Sequence, residues 1–135
     1  MDLFIGFMLP KIIIEKRYIM REQAEMAKVA YMALDEKKGE DIKIIDISGV
    51  STLADYFVIA NGTNITQVQA LVENVEEKMY KAGFEIKRKE GSHGSTWILM
   101  DFGDIVVDVF DKEDRLFYDL ERMWSDGKQI EVDEL

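Results

Sequence analysis

The sequence predicts an α+β fold of the α/β type: a single mixed, five-stranded sheet with helices packed on it. Three observations carry this. Short runs rich in isoleucine and valine, bounded by Gly, Ser and Asn, alternate with longer stretches of helical apolar spacing. A strand–helix–strand unit over 55–90 implies a right-handed crossover and parallel pairing, directly or with one strand between. The stretch "WILMDFGDIVVDVFD", 97–111, reads as two strands around a tight turn, antiparallel by construction.

The elements follow in order. Met26, Ala27, Ala30, Ala33 and Leu34 recur at helical spacing within 21–38, with Gly39 as the natural stop. "DIKIIDI" (41–47) is a short isoleucine-rich strand and "SGVSTLA" (48–54) a loop. "DYFVIA" (55–60) is apolar on both faces and belongs in the middle of the sheet. "NGTNIT" (61–66) is turn chemistry that ends in helix-capping residues. Val68, Leu71, Val72, Val75 and Met79 form the stripe of a second helix, closed by Gly83. "FEIKRKE" (84–90) alternates like an edge strand, and "GSHGS" (91–95) is a flexible loop. After the hairpin, Asp111 can cap a last helix in which Leu116, Phe117, Leu120, Met123 and Trp124 share a face.

The 135 residues suit one domain over 21–125, between an arm at 1–20 and an acidic tail at 126–135 expected to fray. The arm reads as an addition to the domain or as a mis-called start, with translation beginning at Met20. Lys11, Glu15, Lys16 and Arg17 interrupt it, so it is too short to span a membrane. The chain has no cysteine and one histidine, which excludes disulfides, thiolate metal sites and a His-rich centre, and fits a cytoplasmic protein. Net charge is -10. That sign repels free nucleic acid; it either keeps the chain soluble or draws a basic partner.

Alternation along the hairpin sorts its side chains into two sets. Ile98, Met100, Ile105, Val107 and Val109 go under the helices. Trp97, Leu99, Asp101, Val106, Asp108 and Phe110 go to the opposite face, which is apolar, aromatic and acidic together. Left uncovered, such a face is a candidate interface; the other reading is that the third helix or the arm covers it. The aspartates at 101, 104, 108 and 111 lack the Asp-x-Asp spacing on a strand that two-metal phosphoryl transfer uses. His93 has no nucleophile or acid at motif spacing, and Lys87, Arg88 and Lys89 read as a solvated strand edge.

Three stretches carry a more specific signal. "ADYFVIANGTNITQVQAL" (54–71), "KEGSHGSTWILMDFGDIVVDVF" (89–110) and "RLFYDLERMW" (115–124) resemble the ribosomal silencing factor family, also called iojap-like proteins. The resemblance covers about residues 21–125. It implies a nucleotidyltransferase-like topology without catalysis, without metal or other cofactor. It implies binding to the large ribosomal subunit through ribosomal protein L-fourteen, with ribosomal RNA only as a neighbour. The bound protein would obstruct joining of the small subunit when nutrients are scarce. Organellar relatives act in large-subunit assembly, and family members tend to form homodimers. An assembly factor and a nucleotidyltransferase-like enzyme are the alternatives.

Matched to the family motifs, Trp97 opens the hairpin, Asp101 and Asp104 are its acids and Phe102 its aromatic. Asp55 and Tyr56 match an earlier motif; Phe117, Tyr118, Leu120, Glu121 and Trp124 match a later one. The chain departs from the pattern at Asp108, where many members carry His. The expected partner-binding set is Trp97, Leu99, Asp101, Phe102, Asp104, Val106 and Asp108.

Overall fold

The computed structural model describes residues 22–118 and 127–135, without the side chains of 116–118. The arm at 1–20 and the side-chain face assigned to Leu116, Phe117, Leu120, Met123 and Trp124 lie outside the described residues.

Helix α1 is formed over 22–36, followed by β1 (Glu40–Asp46) and β2 (Tyr56–Gly62). Then come α2 (Ile65–Lys81), β3 (Arg88–Glu90), β4 (Trp97–Asp101) and β5 (Ile105–Asp111). The chain continues through α3 (Lys112–Tyr118) and β6 (Lys128–Ile130), and a 3-10 turn at Val132–Glu134. The described strands make one sheet in the order β3-β4-β5-β2-β1-β6. Only β2 and β5 pair in parallel, residue for residue from Tyr56–Ile105 to Gly62–Asp111. The other neighbours are antiparallel.

The mixed sheet is the one expected, with two corrections. It has six strands: part of the tail expected to fray pairs with β1, Ile130 against Ile44. The crossover unit also differs. β3 runs parallel to β2, but both β5 and β4 lie between them. The reason is burial. β5 is largely closed on both faces and takes the centre beside β2, whereas β3 is wholly exposed and fits only an edge.

Helices α1 and α2 cover one face. Ala27, Ala30 and Leu34 meet Val68, Leu71, Val72, Val75 and Met79 over Ile44, Val58, Ile98, Met100, Ile105, Val107 and Val109. The hairpin residues assigned to this side by alternation are all fully buried. Asn64 caps α2, its Oδ1 accepting from Gln67 N at 2.9 Å.

Both helices end in the same six-residue closure. In α2, Phe84 N donates to Met79 O and Gly83 N to Tyr80 O, with Gly83 at φ 89°. In α1, Gly39 N donates to Leu34 O and Lys38 N to Asp35 O. The left-handed position there is Lys38, at φ 61°, one residue before the glycine expected to supply the stop. Gly39 is needed for space instead: a Cβ would sit 3.0 Å from Leu34 O and 3.1 Å from Leu71 Cδ2. Lys38→Gly therefore removes left-handed strain without losing the bond from Gln67 Nε2 to the Lys38 carbonyl. Chemical denaturation is expected to show a gain of about 1 kcal/mol.

Candidate functional site

The sheet face away from α1 and α2 is built in rows that the strand register dictates. One row runs Glu90, Leu99, Asp108, Ile59, Lys43. The next runs Arg88, Asp101, Val106, Phe57, Ile45. Trp97 stands opposite Phe110, which stands opposite Asn61. Because side chains alternate, placing Val107 and Val109 under the helices forces Val106, Asp108 and Phe110 onto this side.

Part of the face is closed. Ile45, Ile47, Ala54, Phe57, Ile59 and Phe110 form a second small core, with Trp97 and Val106 packed against it. At the end of β2, α3 comes over the sheet. Its Arg115 is buried, donates to Asn61 Oδ1 at 3.0 Å and pairs with Asp41 at 3.3 Å. Phe110, assigned to this face, is fully buried here.

What stays open is a groove of about 270 Å³ between the edge strand β3 and the loop before β2. Its walls are Trp97, Leu99, Val106, Phe57, Ile47, Ala54 and Leu53; Arg88, Asp101 and Asp108 supply the polar groups. Trp97 stacks on Phe110 with ring centroids 5.1 Å apart. Its indole N–H donates to Asp108 Oδ1 at 2.7 Å. Asp108 is 1% exposed, and its Oδ2 has no hydrogen-bond partner among the described residues. Burial pushes this carboxyl up to about 7; the Trp97 bond lowers it in part and the Glu90 charge raises it further.

The four hairpin aspartates have four separate surroundings. Asp101 lines the groove and its Oδ1 accepts from Gly103 N at 2.8 Å, closing the turn. Asp104 is exposed, and its backbone carbonyl accepts from Asp55 N and Tyr56 N. Asp108 is buried beside the indole. Asp111 accepts from Asp114 N at 2.8 Å as the cap of α3. Among the described residues, no group of three His, Cys, Asp or Glu side chains is placed to hold a metal ion. His93 is exposed in its loop, Arg88 pairs with Glu90 at 3.5 Å and Lys89 with Glu76 at 2.7 Å.

Of the seven residues expected at the site, the groove brings together Trp97, Leu99, Asp101, Val106 and Asp108. Asp104 is not among its lining residues. Phe102 is 3% exposed and packs in the helix-side core, so it cannot serve this surface. Its position is in step with Ile98 and Met100, and the motif match that put it in the partner-binding set did not take that alternation into account. Leu53, Phe57 and Arg88 were missed. Leu53 is 78% exposed, and an isolated leucine in a Gly/Ser loop was the one available signal.

Among the described residues, no helix is long and apolar enough to cross a membrane. The family model for "ribosomal silencing factor during starvation" matches residues 20–135. A ribosomal silencing factor of Bacillus subtilis is 39% identical over 111 residues, 82% of this chain and 94% of the relative. A mouse protein named for mitochondrial assembly of the ribosomal large subunit is 31% identical over 68% of this chain and 42% of its own length. A crystal structure of a Chromobacterium violaceum protein superposes with a TM-score of 0.73 at 36% identity, covering 79% of this chain and 88% of that one.

The raised Asp108 carboxyl makes a stability prediction. Unfolded, it titrates near its ordinary value of 3.8; folded, near 7. Between those values the folded state holds the extra proton, so stability falls as pH rises, and above about 7 the loss is complete. Asp108→Asn keeps an acceptor for Trp97 and removes the charge. In thermal or urea unfolding it is expected to match wild type near pH 4 and exceed it by about 2–4 kcal/mol at pH 8.

Proposed function

Since the chain belongs to the ribosomal silencing factor family, we propose that it docks on the large ribosomal subunit through this groove and so prevents the small subunit from joining. The observation that carries the reading is the groove itself. It is a concave apolar surface with a half-buried tryptophan in its wall and an acid at its rim, on a protein of net charge -10. Apolar walls supply buried area, and the acidic field steers a cationic protein surface into contact. The partner is ribosomal protein L-fourteen, with ribosomal RNA as a neighbour, and the setting is the cytoplasm.

Silencing by this route is steric. Asp101 and Asp111 are engaged in a turn and a cap, and among the described residues no group of three His, Cys, Asp or Glu side chains is placed to hold a metal ion. The protein acts by occupying space and needs no bond-making step. The mouse relative's name favours a second reading, a role in large-subunit assembly. A reassociation assay separates the two. A silencing factor binds mature large subunits and blocks their joining to small ones; a factor confined to assembly does neither.

Leu99→Arg and Val106→Arg fill the groove with a long cation while leaving the helix-side core untouched. Co-sedimentation with large subunits, and capture by purified L-fourteen, are expected to fall about tenfold or more for each. Melting temperatures are expected to stay within about 5 °C of wild type. Folded variants that bind like wild type would place the docking surface elsewhere.

A further inference from the structure

We propose that the groove is a receptor for one basic side chain, arginine or lysine, whose stem lies along the apolar walls and whose head group pairs with Asp108. This rests on the reading of the groove as the docking face and adds to it a defined subsite with a defined ligand chemistry.

The hydrogen bonding of Asp108 is unbalanced. Asp108 is almost completely buried, yet only one of its oxygens is used: Oδ1 accepts from the Trp97 indole and Oδ2 has no hydrogen-bond partner among the described residues. A buried acceptor without a donor is costly, and a fold that had no use for it could remove it by Asp→Val. The carboxyl sits in the lining of a groove of about 270 Å³ whose other walls are mostly aliphatic and aromatic. A long methylene stem ending in a cation matches that arrangement: apolar contact along its length and charge at its tip. Leu99, directly opposite the carboxyl on β4, is only half-buried, so it can swing aside without disturbing the helix-side core or the fixed indole.

The charged groups around Asp108 among the described residues are few. On β3, Glu90 heads its row and Arg88 lines the groove; on β4, Asp101 stands at the rim. On β2 the row passes through uncharged Ile59, and it ends on β1 at Lys43. The loop before β2 contributes only Ile47, Leu53 and Ala54 to the groove. Arg88 is held by Glu90 at 3.5 Å and so leaves the floor to an incoming cation. The empty groove holds a carboxyl that keeps its proton to about pH 7. An arriving ammonium or guanidinium pairs with the carboxylate, and the proton leaves to solvent. Binding is therefore tighter above neutrality than below it.

Two measurements on the full chain test this. The first follows the Trp97 indole N–H signal, assigned with Trp97→Phe, during titration with N-acetyl-arginine amide and, separately, N-acetyl-norleucine amide. A saturable shift with the arginine compound at pH 8 is expected, about tenfold weaker at pH 6 and lost in Asp108→Asn. Equal response to norleucine, or an unchanged titration in Asp108→Asn, overturns the proposal. The second compares large-subunit binding of Asp108→Asn and Leu99→Arg at pH 8. Loss of about tenfold or more in both supports the subsite. Loss in Leu99→Arg alone overturns it and leaves the groove as the docking face. No loss in either overturns both.

Discussion

The structure depends on the place of β5 in the sheet. It pairs in parallel with β2 along its whole length and antiparallel with β4, and it is buried on both sides. A central strand of this kind is ordinarily a continuous apolar run. Here the period of two sends Val107 and Val109 under the helices and leaves Asp108 and Phe110 to the other face. One carboxylate thus stands in a position that the fold would otherwise fill with an aliphatic. The indole N–H of Trp97 compensates half of it.

That compromise organises the surface above it. The hydrogen bond to Asp108 and the stack on Phe110 fix the indole from two sides, so the tryptophan is a rigid wall and not a mobile flap. Around it the face divides. Toward the end of β2, α3 and Arg115 close the sheet; beside Phe57 and Ile59, a small second core does the same. Between the β3 edge and the exposed Leu53, the apolar surface remains open. A preformed, mostly rigid groove loses little conformational freedom on binding.

Much of this was legible in the residues, and what was not has physical reasons. The alternation of the hairpin is unambiguous, so the division of Ile98, Met100, Ile105, Val107 and Val109 from Trp97, Leu99, Val106 and Asp108 needed no coordinates. The motif match put Phe102 in the partner-binding set, but it packs in the helix-side core, in step with Ile98 and Met100. Strand β6 was invisible because three residues, Lys128–Ile130, carry no periodic signal and sit in acidic surroundings. The edge position of β3 was legible in its alternation; its long separation from β2 was hidden because sequence order does not reveal that both strands of the later hairpin enter between them. Leu53, Phe57 and Arg88 reach the groove from three different elements, and only tertiary pairing brings them together.

The measurement that bears most directly on the central claim is an electron-microscopy reconstruction of this chain on a large ribosomal subunit. The account predicts density on the face that meets the small subunit, with Trp97, Leu99 and Leu53 turned toward a basic protein surface and α1 and α2 turned away. A reconstruction in which the groove faces solvent, or in which the helices make the contact, would contradict it.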